Sequence, residues 1–121
     1  MDQYVVFEYL YRDASNYKSY GSVLLEGAFD KAKVASLVRY FENGAFFIPE
    51  AIKIPELRSK LYEYGGPNSD DHEFHEFVCL RTANDEDIVL LKLHDTLEEF
   101  IRVVANSSDK WLTDYARQEK A

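Results

Sequence analysis

The stretch Tyr4–Arg12, YVVFEYLYR, decides how the rest of the chain is read. β-Branched and aromatic residues fill it, with Val5, Phe7, Tyr9 and Tyr11 on one face and Val6 and Leu10 on the other. A strand apolar on both faces is expected to lie inside a sheet rather than at its edge. Downstream, residues 20–26 place Val23 and Leu25 on one side and Leu24 on the other, so a second strand is expected, joined to the first by the polar residues 13–19 in a long hairpin.

Beyond Gly27 the period changes. Val34, Leu37, Val38 and Phe41 recur at i, i+3, i+4 and i+7 behind an N-cap at Asp30, and Asn43-Gly44 supplies a left-handed stop, so a helix is expected there. Phe46, Phe47 and Ile48 run into Pro49 and read as an ordered connection or a short edge strand. Pro55 at a first helical position, Leu57, Leu61 and Tyr64 on one face, and Gly65-Gly66 as terminator predict a short second helix. Residues 73–82, EFHEFVCLRT, read as a third strand in which Cys79 is a small core residue. Asn84 to Asp87 reads as an acidic turn, and Ile88 to Leu93 as either a fourth strand or a packed connection. The T-x-x-E box of Thr96 and Glu99 opens an amphipathic C-terminal helix with Leu97, Phe100, Ile101 and Val104 facing the core. The apolar spacing extends to Trp111 and Tyr115, while Asn106, Ser107 and Ser108 are poor helix formers, so one long helix and two shorter ones are both open.

The fold class expected is α+β: a small antiparallel sheet of three or four strands packed against two to four helices, in a single domain over all 121 residues. No apolar run is long enough to cross a bilayer, so no membrane partner is expected. Met1-Asp2-Gln3 lacks a basic-then-apolar leader, and a cytoplasmic location is expected.

Charge is distributed unevenly. The net charge is −8, and residues 70–100 hold ten acids (Asp70, Asp71, Glu73, Glu76, Asp85, Glu86, Asp87, Asp95, Glu98 and Glu99) against two bases, Arg81 and Lys92. The remaining residues are close to neutral. A field of this sign repels phosphate backbones and attracts basic surfaces, which argues against direct nucleic-acid binding and for a basic protein partner. The partner-binding residues expected from it are Asp70, Asp71, Glu73, Glu76, Asp85, Glu86 and Asp87. A second cluster, Arg12, Asp13, Asn16 and Tyr17 in the first hairpin, joins them as a candidate contact, against the plainer reading of a turn that caps its own backbone.

The densest ionisable stretch is Asp70-Asp71-His72-Glu73-Phe74-His75-Glu76. In an extended chain Asp71, Glu73 and His75 share one side, a mix that a divalent metal accepts, so they form a candidate metal site, with His72 or His94 as an additional ligand or general base. The competing reading is a solvated strand end whose histidines bond to carboxylates or backbone. No phosphate loop, nucleophile elbow, kinase signature or dinucleotide fingerprint is present. Three functions are therefore open. The first is a non-enzymatic acidic binding module of the inhibitor, antitoxin or immunity-protein kind that needs no cofactor. The others are a small metal-dependent hydrolase built on Asp71, Glu73 and His75, and a structural subunit with a tyrosine-rich interface.

Overall fold

A computed structural model describes residues 3–13, 15–59, 61 and 74–112. Strand β1, Tyr4–Arg12, is the axis of a sheet that includes β2, Lys18–Glu26, β3, Phe46–Phe47, β4, His75–Thr82, and β5, Leu93–Thr96. Three α-helices accompany them among the described residues: α1, Lys31–Val38, α2, Asp85–Leu90, and α3, Leu97–Ser107. The strand order is β3-β4-β1-β2-β5. The architecture is α+β as expected, with five strands instead of three or four. The sheet is also mixed: β2 pairs with β5 in parallel, while the β1–β2, β1–β4 and β3–β4 pairs are antiparallel.

β1 sits between two long strands because both its faces are apolar. Val5, Phe7, Tyr9 and Tyr11 are buried in the main core with Leu37 of α1, Phe41, Phe47, Ile52, and Leu97, Phe100 and Val104 of α3. Val6, Leu10 and Leu24 are also buried but lie outside that cluster, on the other face of the sheet. β4 and β5 flank β1 and β2, so the segment that joins them must cross both inner strands. α2 makes that crossing on the outer face, since its Asp87 reaches Arg81, the register partner of Val6.

The local caps follow from the sequence. Asp30 accepts from the Ala32 N–H at 2.9 Å and starts α1, and Asn43 and Gly44 hold φ of 54° and 75° where that segment stops. Thr96 accepts from the Glu99 N–H at 3.1 Å, but the Glu99 carboxylate binds Arg102, and the Thr96 N–H is instead satisfied by Asp95 at 2.8 Å. α3 ends at Ser107 in a 3-10 turn, Ser108–Lys110, after which Trp111 and Leu112 are buried, so the helix breaks at the poor formers. Gly21 faces the Tyr9 ring, where an added Cβ would stand 2.9 Å from Tyr9 Cζ and from Leu57 Cδ2.

Three sequence expectations require correction. Residues 84–87 are not a turn, and residues 88–93, read as a strand or a packed connection, complete a helix through Leu90 and reach strand only at Leu93. Asn84 and Asp87 make a reciprocal capping box that opens α2, with three acids in its first turn, and acidic side chains there complement the helix dipole. Cys79 is not a core residue: it lies on the outer face opposite Glu8, partly exposed. The helix expected to start at Pro55 does not: residues 55–57 are non-helical and 58, 59 and 61 are in 3-10 geometry, while residues 60 and 62–64 of the expected span lie outside the described residues.

Candidate functional site

The outer face of the sheet carries charge in two bonded groups. On β1, Glu8 and Arg12 project there, and β4 answers with Cys79, Arg81 and Glu76 in register. At one end the Arg81 guanidinium donates to Glu8 Oε2 at 3.1 Å and to Asp87 at 2.6 and 3.0 Å, which fastens α2 to the sheet. Arg81 and the Asn84 N–H stabilise the ionised Asp87 carboxylate and lower its pKa to about 2. The Cys79 thiol donates to the same Glu8 oxygen at 3.1 Å, and desolvation, then that bond, push its pKa to about 11. A thiol held protonated in this way is a poor nucleophile.

At the other end Arg12 donates from Nε to Glu76 Oε1 at 3.0 Å and from Nη1 to Asn16 Oδ1 at 2.5 Å. Asp13 organises the hairpin by accepting the Ser15 and Tyr17 N–H groups, each at 2.9 Å, with Asn16 left-handed at φ 69°. The turn thus caps its own backbone and also presents its side chains. Tyr17 and Tyr20 are exposed, whereas Tyr9 and Tyr11 are core residues, which divides the tyrosines between interior and surface. Arg12, Asp13 and Glu76 line a cavity of about 330 Å³ with Glu42, Phe46 and Phe74. Glu42, Phe46 and Phe74 are the members that reading the sequence missed. The only local signal was Asn43-Gly44, whose tight turn bonds Glu42 and Phe46 to each other through their backbones.

The acids of residues 70–100 do not form one patch among the described residues. Glu76 pairs with Leu10 near one end of β1, and Thr82, just before α2, pairs with Val5 near the other. Six residues of strand separate those ends by about 20 Å. Glu76, Asp87 and Glu99 are ion-paired to Arg12, Arg81 and Arg102, while Asp85 and Glu86 are exposed on α2 with no ion pair among the described residues. Asp70, Asp71 and Glu73 lie outside the described residues, as does His72.

His75 does not project into solvent as a ligand beside acids. It is fully buried, its ring lies 5.0 Å from that of Tyr11 and 6.2 Å from that of Tyr9, and its Nε2 accepts the Leu57 N–H at 2.9 Å. That nitrogen's lone pair is committed to the backbone. His94 stands on β5, with β1 and β2 between it and β4, and makes an edge contact with Phe100. The structure therefore does not bring these two histidines together.

α2 exposes its apolar residues. Val89 is 82% and Leu90 70% accessible, Ile88 is half-exposed, and none of the six residues is buried. Leu93, at the start of edge strand β5, is also half-exposed. Compared with protein-family models, curated proteins and solved structures, the chain matches none. Among the described residues, no helix is long and apolar enough to cross a membrane.

Proposed function

We propose that this protein is a non-enzymatic binding module that docks a basic protein partner, as small inhibitors, antitoxins and immunity proteins do. The observation that carries the reading is α2, a two-turn helix whose Val89 and Leu90 stand in water beside the exposed carboxylates of Asp85 and Glu86. So short a helix is marginal on its own and is held here by a capping box and by the Asp87–Arg81 ion pair. Contiguous exposed apolar side chains rimmed by charge are the usual layout of a protein interface, with an apolar centre that supplies affinity and a charged rim that supplies steering. The complementary partner offers an apolar socket bordered by Lys or Arg.

The test is affinity capture from native lysate at low and high salt with the wild type, a Val89→Asp/Leu90→Ser variant and an Asp85→Lys/Glu86→Lys variant. The expected result is a basic protein retained by the wild type, released by salt and lost from both variants. Retention of the same proteins by both variants would overturn the reading. So would a wild-type protein that captures nothing and forms a dimer that the Val89→Asp/Leu90→Ser change dissolves.

A further inference from the structure

We infer that the free edge of β2 receives an extended peptide ending in a carboxylate, which adds to the sheet as a parallel strand in line with β5. The inference concerns a different surface from the exposed residues of α2 and does not depend on the docking reading. β5 pairs with β2 only from Leu24 to Glu26. Among the described residues no strand lies beside Lys18 to Val23, which leaves about 20 Å of edge.

The hairpin's hydrogen bonds fix which residues address that edge. The Asp13 N–H donates to Tyr17 O at 3.0 Å and the Gly27 N–H to Gln3 O at 2.8 Å. Bonded pairs alternate with unbonded ones along an antiparallel ladder, so Ser19, Gly21, Val23 and Leu25 are the β2 residues that bond to β1. Leu24 and Glu26 turn their backbone groups the other way and meet β5. Lys18, Tyr20 and Ser22 turn the same way, and among the described residues they meet no strand. All three are exposed. Such a row of N–H and C=O groups is a template for a further strand.

A cavity of about 450 Å³ lies at the end of this edge where β5 begins, and Ser22 belongs to both. Val23, Pro55, Leu91 and Leu93 make its apolar wall, and its ionisable lining among the described residues is Lys92 and His94. In a chain of net charge −8, a lining with an ammonium, an imidazole and no carboxylate favours an anion. His94 sits where the β2–β5 register shifts, since Leu24 faces Leu93 and Leu25 faces Asp95. An extra residue of this kind re-aims a side chain. A strand running parallel to β2 ends at the cavity and brings its C-terminal carboxylate to Lys92 and to an imidazole N–H, with an aliphatic last side chain against the apolar wall. An antiparallel segment would bring its N-terminal ammonium there, which Lys92 repels. The ligand is therefore the C-terminal tail of a partner protein with an aliphatic last residue.

The probe is a library of random heptapeptides displayed with free C termini and panned on the full chain, with the same heptapeptides displayed at N termini as the control. The expected result is enrichment from the first library alone, with an aliphatic last residue. The enriched peptide, followed by fluorescence anisotropy, is expected to bind about tenfold more weakly as its C-terminal amide, and as the acid to Lys92→Gln, as loss of one charged hydrogen bond implies. N-methylation of alternate residues is expected to abolish binding in one phase and spare it in the other, because alternate N–H groups of an added strand face β2. Ser22→Pro removes an N–H that β1 does not use, so it is expected to fold and to lose the peptide. No enrichment of free C termini, equal binding of acid and amide, equal effects of N-methylation in both phases, or unimpaired binding by a folded Ser22→Pro chain would each overturn the inference. So would a wild-type chain that takes up no peptide and dimerises through this edge until Ser22→Pro separates the copies.

Discussion

Replacing His75 tests whether that histidine belongs to the core or to a site. Its imidazole is packed among Tyr9, Tyr11 and Phe47 and accepts the Leu57 N–H, so His75→Ala removes two things at once. Truncating a buried ring to Ala costs about 3–5 kcal/mol for the larger aromatics, and an orphaned buried N–H adds about 1–3 kcal/mol. An imidazole is smaller than a phenyl ring, and water entering the cavity recovers part of the lost bond, so the expected loss is about 3–5 kcal/mol. A domain of this kind has about 5–15 kcal/mol in total. The assay is urea unfolding read by the fluorescence of Trp111, the single tryptophan, which is buried with its indole N–H on Tyr40 O at 2.8 Å. At a slope near 2 kcal/mol per molar urea, the midpoint falls by about 2 M. His75→Phe, which fills the space but cannot accept, is expected to lose only the hydrogen-bond share, about 1–3 kcal/mol. Zinc or manganese leaves both midpoints in place. An unchanged midpoint in His75→Ala, or a metal-dependent rise in the wild type that this variant abolishes, would refute the reasoning and restore the metal reading of Asp71, Glu73 and His75.

Three further outcomes are expected. Cys79, raised from 9.0 to about 11, has its thiolate fraction at neutral pH lowered about 100-fold, so iodoacetamide should label the folded protein about 100-fold more slowly than the unfolded chain; equal rates would contradict the Glu8 bond. The Asp87 carboxyl is depressed from 3.8 to about 2; a group lowered by folding contributes stability that is present above about pH 4 and lost as pH falls through about 2. Urea midpoints should therefore decline across that window, and less steeply in Asp87→Asn. Gly21→Val places atoms where Tyr9 and Leu57 already stand, 2.9 Å from the added Cβ, and is expected to cost about 1–3 kcal/mol by thermal melting; a variant as stable as the wild type would contradict the close approach.

Features set by neighbouring residues were legible in the sequence. The two-faced burial of Tyr4–Arg12, the Asp30 and Thr96 caps and the Asn43-Gly44 stop depend on side chains within a few positions of the backbone they control, whereas the sequence left open whether the C-terminal helix breaks at Asn106 to Ser108. α2 was misread because Ile88 to Leu91 is a short apolar run, which reads alike as strand or helix, and the deciding signal, Asn84 capped reciprocally by Asp87, looked like a turn. β5 was hidden because its pairing with β2 depends on a crossover over two strands, which no local pattern encodes. The same holds for the site. Arg12 and Glu76 were each singled out, but their ion pair spans 64 positions, and only the sheet register makes it visible. Glu42 and Phe46 drew no notice in a sequence where surface glutamates and core phenylalanines are ordinary. Cys79 reads as a core residue because the apolar run Phe77 to Leu80 suits a strand buried on both faces, whereas its actual face is set by the register shift opposite Glu8 and Tyr9.

The docking reading depends on α2 being covered in the working state of the protein. A photo-cross-linking residue placed at Val89, and separately at Lys31 on α1 as an exposed control, measures this directly in native lysate. The account predicts one salt-sensitive adduct with a basic protein from position 89 and none from position 31. Equal adducts from both positions, or an adduct from neither, would contradict it.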